Sequence, residues 1–280
     1  MSKGIVVLAQ NNAKDDYVKQ ACLLAMSVAV TNTNTQVSVI TNDTVPIEYK
    51  ELFDQIIPIP FNDDASHEDW KISNRWKIYH ASPYDETLVL DTDMLVLQDI
   101  SAWWDFLNRY EIFFTNNVYT YRDNLVTNDY YRKIFTSNNL PNLYTGLHYF
   151  KKCNFAKEFY NWLELVSNNW ELFYTQYAKN DFPLCPSMDV SAAIVSKILD
   201  CDDKITNNKV KFPSFTHMKP KIQNWSKDVQ QWQDCVGVYI NKDCEIKIGN
   251  HKQNGIFHYT ENNFVTDEII ERYRNKLHVY

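Results

Sequence analysis

Glycine is scarce in this chain, at 5 of 280 residues. Phosphate-cradling loops need it for tight turns and for close approach of backbone N–H groups, and neither G-x-x-x-x-G-K-[ST] nor G-x-G-x-x-G occurs. A P-loop nucleotidase and a glycine-fingerprint dinucleotide enzyme are both excluded on that ground. Long apolar runs are also missing. None approaches the roughly 18 uncharged residues of a spanning helix, so no membrane span is expected. Met1 to Ala9 leads directly into a strand-like run, without the longer apolar region and small-residue cleavage site of a signal peptide. The six cysteines (Cys22, Cys153, Cys185, Cys201, Cys235 and Cys244) form no C-x-x-C pair, which points to reduced thiols in a cytoplasmic protein. Positive charge is not in excess: 28 Lys and Arg stand against 35 Asp and Glu, for a net charge of −7. No global basic field exists to gather nucleic acid or an anionic membrane.

Hydrophobic residues make up 45% of the chain and charged ones 22%, the balance of a globular domain long enough to bury a sizeable core. Aromatic residues, at 15%, serve that core first and could also supply stacking platforms for sugars or bases. Strand-like runs at Ile5–Leu8, Gln36–Ile40, Ile56–Ile59 and Thr87–Leu90 alternate with helical patterns over Tyr17–Val30 and Arg75–His80. Further strands are expected at Glu111–Phe114 and Leu147–Phe150. Further helices are expected at Trp103–Leu107, Phe155–Val166, Val190–Leu199 and Val265–Leu277. Alternating strands and helices predict an α/β fold with a mostly parallel sheet and right-handed crossovers. No repeat or linker divides residues 1–280, which read as one domain.

The feature that carries chemistry is Asp91-Thr92-Asp93, directly after the apolar run Thr87-Leu-Val-Leu90 and before Met94-Leu-Val-Leu97. Ligands bind beyond the carboxyl ends of strands in open α/β sheets. Hard carboxylate oxygens suit Mg²⁺ or Mn²⁺, and such metals usually share their sites with substrate phosphates. Two carboxylates flanked this closely by apolar residues would repel and desolvate each other unless a cation or hydrogen bonds compensated them.

The order of these elements, together with the aspartate pair, resembles the nucleotide-sugar-binding fold called GT-A. Within it, the chain is most similar to the glycogenin-like retaining glycosyltransferases. The likeness runs through Leu8-Ala-Gln-Asn-Asn12 with the Tyr17 helix, then Lys77 to Ile100, Tyr144-Thr-Gly-Leu-His-Tyr-Phe150, Ser187-Met-Asp189 and Gly255-Ile-Phe-His258. It covers most of the chain, the aspartate-strand segment being its most specific part. Residues 1–100 would form the nucleotide-sugar-binding half, and 101–280 the acceptor half with a closing helix.

The resemblance implies Asp91, Asp93 and His258 as ligands of Mn²⁺ (or Mg²⁺), with Asp91 also near the ribose. It implies Asn11 and Tyr17 at the base, Lys77 and Arg75 toward the diphosphate, and Asp189 at the reacting centre. The donor would be a nucleoside-diphosphate sugar, a UDP-sugar by likeness, and the acceptor a hydroxyl of a glycan, protein or small molecule. Taken one at a time these residues have plainer uses: Asp189 as a helix N-cap, Lys77 as a solvated cation, Tyr17 and His258 as core.

Two departures stand out. Val190 follows Asp189 where the family usually has glutamine, and Tyr259-Thr260 follow His258 where it has a glycine and then a phosphate-binding lysine. Lys252 and Lys219 are the candidates to replace that lysine. The departures also keep open a nucleotide-sugar-binding protein with weak catalysis. A haloacid-dehalogenase-type phosphatase ranks behind. Its Asp-x-Asp opens the first strand rather than a later one, although Asp202-Asp203 could mimic its second acidic pair.

Overall fold

The computed structural model describes residues 1–31, 34–69, 71–126, 132–207, 212–218, 232–234, 236–260 and 262–278. In the first hundred residues, β1 (Lys3–Leu8) leads to α1 (Tyr17–Thr31), β2 (Gln36–Ile40) and β3 (Gln55–Ile57). A 3₁₀ turn (Ile72–Lys77) and the short α2 (Ile78–Ala81) then return the chain to β4 (Glu86–Leu90) and β5 (Met94–Val96). The expected strand Ile56–Ile59 closes early, because Pro58 has no N–H to give to a ladder. The expected helix over Arg75–His80 is split between the 3₁₀ turn and α2, and it ends before Pro83.

Next come α3 (Trp103–Leu107), β6 (Ile112–Thr115), β7 (Asn117–Tyr119), α4 (Lys133–Ser137) and β8 (Tyr144–Lys151). Three helices follow as α5 (Asn154–Asn168), α6 (Trp170–Tyr177) and α7 (Met188–Ile198), then α8 (Asp202–Ile205). The remaining elements are β9 (Ser214–His217), β10 (Val238–Ile240), β11 (Ile246–Ile248), β12 (His251–Lys252), β13 (Ile256–His258) and α9 (Asp267–His278).

The main sheet has the order β3-β2-β1-β4-β8-β6, and β8 alone runs against the other five strands. Its central strands are buried on both faces. Ile5, Val7, Leu88 and Leu90 pack against Ala21, Leu24 and Val28 of α1, while Val6 and Val89 face Phe159, Leu163 and Ile194 of α5 and α7. Such two-sided burial is why these strands read as continuous rather than alternating apolar runs. Tyr84 needs Gly4, since a Cβ there would sit 2.4 Å from the tyrosine ring.

The start of α1 is satisfied by side chains. Asp16 Oδ1 accepts from Lys19 N at 2.9 Å and Asn11 Oδ1 from Val18 N at 3.0 Å, covering N–H groups that have no partner within the helix. Beside the main sheet lies a second one, β5-β13-β9-β7, backed by Phe257, Tyr259, Phe264 and Tyr273 together with Leu23 and Met26 of α1. No helix among the described residues is long and apolar enough to cross a membrane.

His148 ties the main sheet to α5. Its Nδ1 meets the Thr145 carbonyl at 2.6 Å and its Nε2 meets the Tyr160 hydroxyl at 2.8 Å. Burial pushes its pKa down from 6.5 to about 4. The unfolded chain therefore takes up this proton near pH 6.5 and the folded one only near 4, so stability falls as pH drops through that window. By pH 5 the loss from this group is about 2 kcal/mol relative to pH 7. Denaturant unfolding at pH 7 and pH 5 should show a smaller drop for His148→Gln than for the unsubstituted protein. Equal drops would contradict this assignment.

Candidate active site

Two strand pairings assemble the site. Asp91 follows β4 directly, and its N–H donates to the Gly146 carbonyl at 3.0 Å, so the sheet ladder continues one residue past the strand. Thr92 turns inward, is buried, and donates through Oγ1 to Gln20 on α1 at 3.0 Å. Asp91 and Asp93 on either side both line the cleft. The chain then enters β5, where Met94 lies opposite His258 of β13 and the Tyr259 N–H bonds back to the Asp93 carbonyl at 3.1 Å. On the other side of β13, His258 is in register with His217 of β9, and the two rings lie 4.6 Å apart.

These pairings bring Asp91, Asp93 and His258 together, with one ligand atom from each within 4.8 Å of the others. Two hard carboxylate oxygens and one imidazole nitrogen suit Mn²⁺ well. In this structure the charges are balanced by the protein itself. Arg75 Nη1 lies 2.7 Å from Asp91 Oδ1, and His258 Nε2 lies 2.9 Å from Asp93 Oδ1. Burial works against ionising either member of the second pair. The attraction between them outweighs it, holding Asp93 below and His258 above their ordinary values. The Arg75 guanidinium is stabilised chiefly by Asp91. Tyr17, pushed up to about 12 by burial and by Asp15 and Asp93, stays a phenol at neutral pH.

The carboxylate of Asp189 is gripped from two sides. Although Asp189 lies in the first turn of α7, it does not cap the helix. Its Oδ1 accepts from both the Thr145 N–H (2.8 Å) and the Thr145 hydroxyl (2.6 Å), while Oδ2 pairs with Arg132 Nη1. Burial pushes its pKa up, but Arg132 and Thr145 overcome that and hold it below the usual carboxylate value.

A cleft of about 780 Å³ runs from Arg75, Asp91 and His258 to Arg132 and Asp189. A smaller one of about 230 Å³ continues past Asp93 to Gln10, Lys71 and Tyr17. Arg75, Asp91, His217 and His258 line both. Six of the eight residues named from the sequence thus meet in one continuous space: Tyr17, Arg75, Asp91, Asp93, Asp189 and His258.

The other two are placed elsewhere. Lys77, fully buried, gives its ammonium to the Asn62 carbonyl, Asp64 (2.6 Å) and Asn74 (2.7 Å), which ties the 62–64 loop to the 3₁₀ turn and lines neither cleft. Asn11 caps α1 and borders a separate cavity of about 460 Å³. Lys252 pairs with Glu245, and Lys219 falls outside the described residues. Asp202 is bonded to Ser196 and Lys197 at the start of α8, and neither it nor Asp203 lines either cleft, so the acidic pair of a haloacid-dehalogenase site is not brought to Asp91.

No protein-family model and no curated protein sequence matches the chain. Among solved structures it is similar to the galactosyltransferase LgtC, determined with donor and acceptor sugar analogues. The identity is 15% over 99% of this chain and 95% of that one, with a TM-score of 0.51. It is also similar to mouse xyloside xylosyltransferase 1 in its apo form, at 7% identity over 95% of this chain and 100% of that one, again with a TM-score of 0.51. The fold is therefore that of the GT-A glycosyltransferases: a mostly parallel central sheet flanked by helices.

Gly146 is the residue that lets Asp91 stand where it does. A Cβ at this position would lie 2.7 Å from Asp91 Oδ2 and 3.2 Å from Met94 Cε. Glycine to alanine in a strand normally stabilises by roughly 0.5–1 kcal/mol. Here Gly146→Ala should instead destabilise by about 1–3 kcal/mol through overpacking. In an Asp91→Ala background the penalty should disappear. A denaturant double-mutant cycle checks this, and an equal cost in both backgrounds would contradict it.

Proposed function

We propose that this protein is a metal-dependent glycosyltransferase. It moves a sugar from a nucleoside-diphosphate donor, a UDP-sugar, to a hydroxyl of a glycan, protein or small molecule. The observation that carries the reading is the meeting of Asp91, Asp93 and His258 at the junction of two clefts. The donor spans that junction, with its nucleoside in the smaller cleft beside Tyr17 and Gln10 and its sugar in the larger one beside Asp189. Most of the nucleotide-side groups come from residues 1–100 and most of the sugar-side groups from 101–280. Five free cysteines among the described residues accord with a cytoplasmic, reducing setting.

Asp91, Asp93 and His258 would hold Mn²⁺ (or Mg²⁺), which when bound supplies Lewis-acid stabilisation of the departing diphosphate. This chain's own residues do the rest. The bond from the anomeric carbon to the phosphate oxygen breaks, the bond to the acceptor oxygen forms, and the acceptor proton passes to the phosphate oxygen. Arg75, which lines both clefts, would supply positive charge toward the departing diphosphate, and preorganised charge of this kind commonly supplies the largest share of catalysis. It would take the place at the diphosphate that the resemblance implies for Lys77 and Arg75 together. Attack from the face that the diphosphate leaves gives retention, the outcome in glycogenin-like enzymes. The glycine expected after His258 is replaced by Tyr259, whose buried ring stacks on Phe264 at 4.4 Å and serves the core.

Release of nucleoside diphosphate from a panel of nucleotide sugars should require Mn²⁺ or Mg²⁺. It should fall by roughly 10²-fold or more in Asp93→Ala, as when a single stabilising donor is lost. Undiminished release with chelator, or in the variant, would overturn the proposal. Tight binding without release would favour a nucleotide-sugar-binding protein instead.

A further inference from the structure

Arg132 has no counterpart among the residues that the sequence singles out, yet it is the most elaborately held cation in the cleft. It is buried, at 6% exposure. Its guanidinium is sandwiched between two rings, 4.1 Å from the centre of Phe135 and 3.8 Å from that of Tyr144. Nε donates to Asn142 Oδ1 at 2.6 Å, Nη2 to the Leu143 carbonyl and Nη1 to Asp189. One planar fork thus joins α4, the turn before β8 and the first turn of α7. A lysine could carry the charge but could fill neither the stack nor the fork.

The effect on Asp189 follows from counting acceptor positions. A carboxylate has about four lone-pair sites. Thr145 N, Thr145 Oγ1 and Arg132 Nη1 take three. The side chain remains 21% exposed and lines the larger cleft. An ionised carboxylate in this grip cannot swing onto a carbon. It can still accept one more hydrogen bond from the cleft.

We propose that Arg132 is a positioning residue that, with Thr145, presents Asp189 as a fixed acceptor for a hydroxyl of the donor sugar, and so helps to set which sugar is used. This deepens the transferase reading and rests on it for the identity of the ligand. The grip differs from the Arg75–Asp91 contact in its place: Arg75 and Asp91 line both clefts, whereas Arg132 and Asp189 line the larger one and not the smaller.

The test separates sugar recognition from nucleotide recognition. Affinities for UDP and for UDP-glucose and UDP-galactose would be measured with Mn²⁺ for the unsubstituted protein, Arg132→Lys, Asp189→Asn and the double variant, alongside UDP release. UDP affinity should be unchanged in all four. The extra affinity that the sugar confers should be lost in either single variant, with no further loss in the double. Turnover should fall by up to about 10²-fold, as for a misplaced catalytic geometry. Loss of UDP affinity in parallel, an unchanged sugar increment in Arg132→Lys, or additive losses would overturn the inference. Asp189→Asn, which keeps the side-chain shape, provides the same reading if Arg132→Lys does not fold. If the sugar increment behaves as expected but no protein releases UDP, the transferase reading fails and the positioning role stands. If no sugar increment exists in the unsubstituted protein, the positioning role fails.

Discussion

The pairing of β13 against β5 is the constraint on which the site depends. Asp93 lies just before β5 and His258 at the end of β13, so two residues 165 positions apart become neighbours through strand register. A one-residue slip would turn His258 toward the other face of the sheet. The register is held by side chains as well as by the ladder. Ser27 Oγ accepts from Val96 N at 2.9 Å, anchoring β5 to α1, and Gln253 Nε2 donates to the Tyr121 carbonyl at 2.9 Å ahead of β13. The aspartate turn itself is pinned to α1 through Thr92, so one helix supports both sides of the junction.

Charge balance is the second organising theme. Of the four carboxylates that line the two clefts, Asp181 accepts from the Ser137 hydroxyl, and the other three each have a cation: Asp91 with Arg75, Asp93 with His258, and Asp189 with Arg132. Unpaired, any of them would carry a large desolvation cost, and pairing removes most of that without making the ion pairs strong contributors to stability. The three differ in permanence. Arg132 is stacked between rings and bonded at three points, whereas Arg75 and His258 each face the cleft that a diphosphate would enter. Such a division suits a site whose sugar side is rigid and whose phosphate side exchanges partners.

Much of the fold was legible because its signals are local. The buried runs at Ile5, Val37 and Leu88 formed central strands, and the periodic faces of α1, α5 and α7 packed on them. The aspartate pair lay at the carboxyl end of a strand, as its flanking apolar residues suggest. The second sheet was harder to see. Its strands are three or four residues long, and their partners lie far along the chain. Arg132 and His217 escaped for the same reason: each owes its place to contacts across the fold, and a lone Arg or His in sequence carries no such information. Lys77 shows the converse. The family resemblance implied a phosphate contact for it, whereas its position on an expected helix implied only a solvated cation; in the 3₁₀ turn its ammonium meets the Asn62 carbonyl, Asp64 and Asn74 instead.

The central claim is that Asp91, Asp93 and His258 form one metal site shared with a nucleoside diphosphate. Anomalous diffraction from crystals grown with Mn²⁺ and UDP tests it most directly. The account predicts a single strong manganese peak bonded to all three side chains and to the UDP phosphates, with the base beside Tyr17. Manganese bound elsewhere, or UDP bound with Arg75 and no metal between these residues, would contradict it.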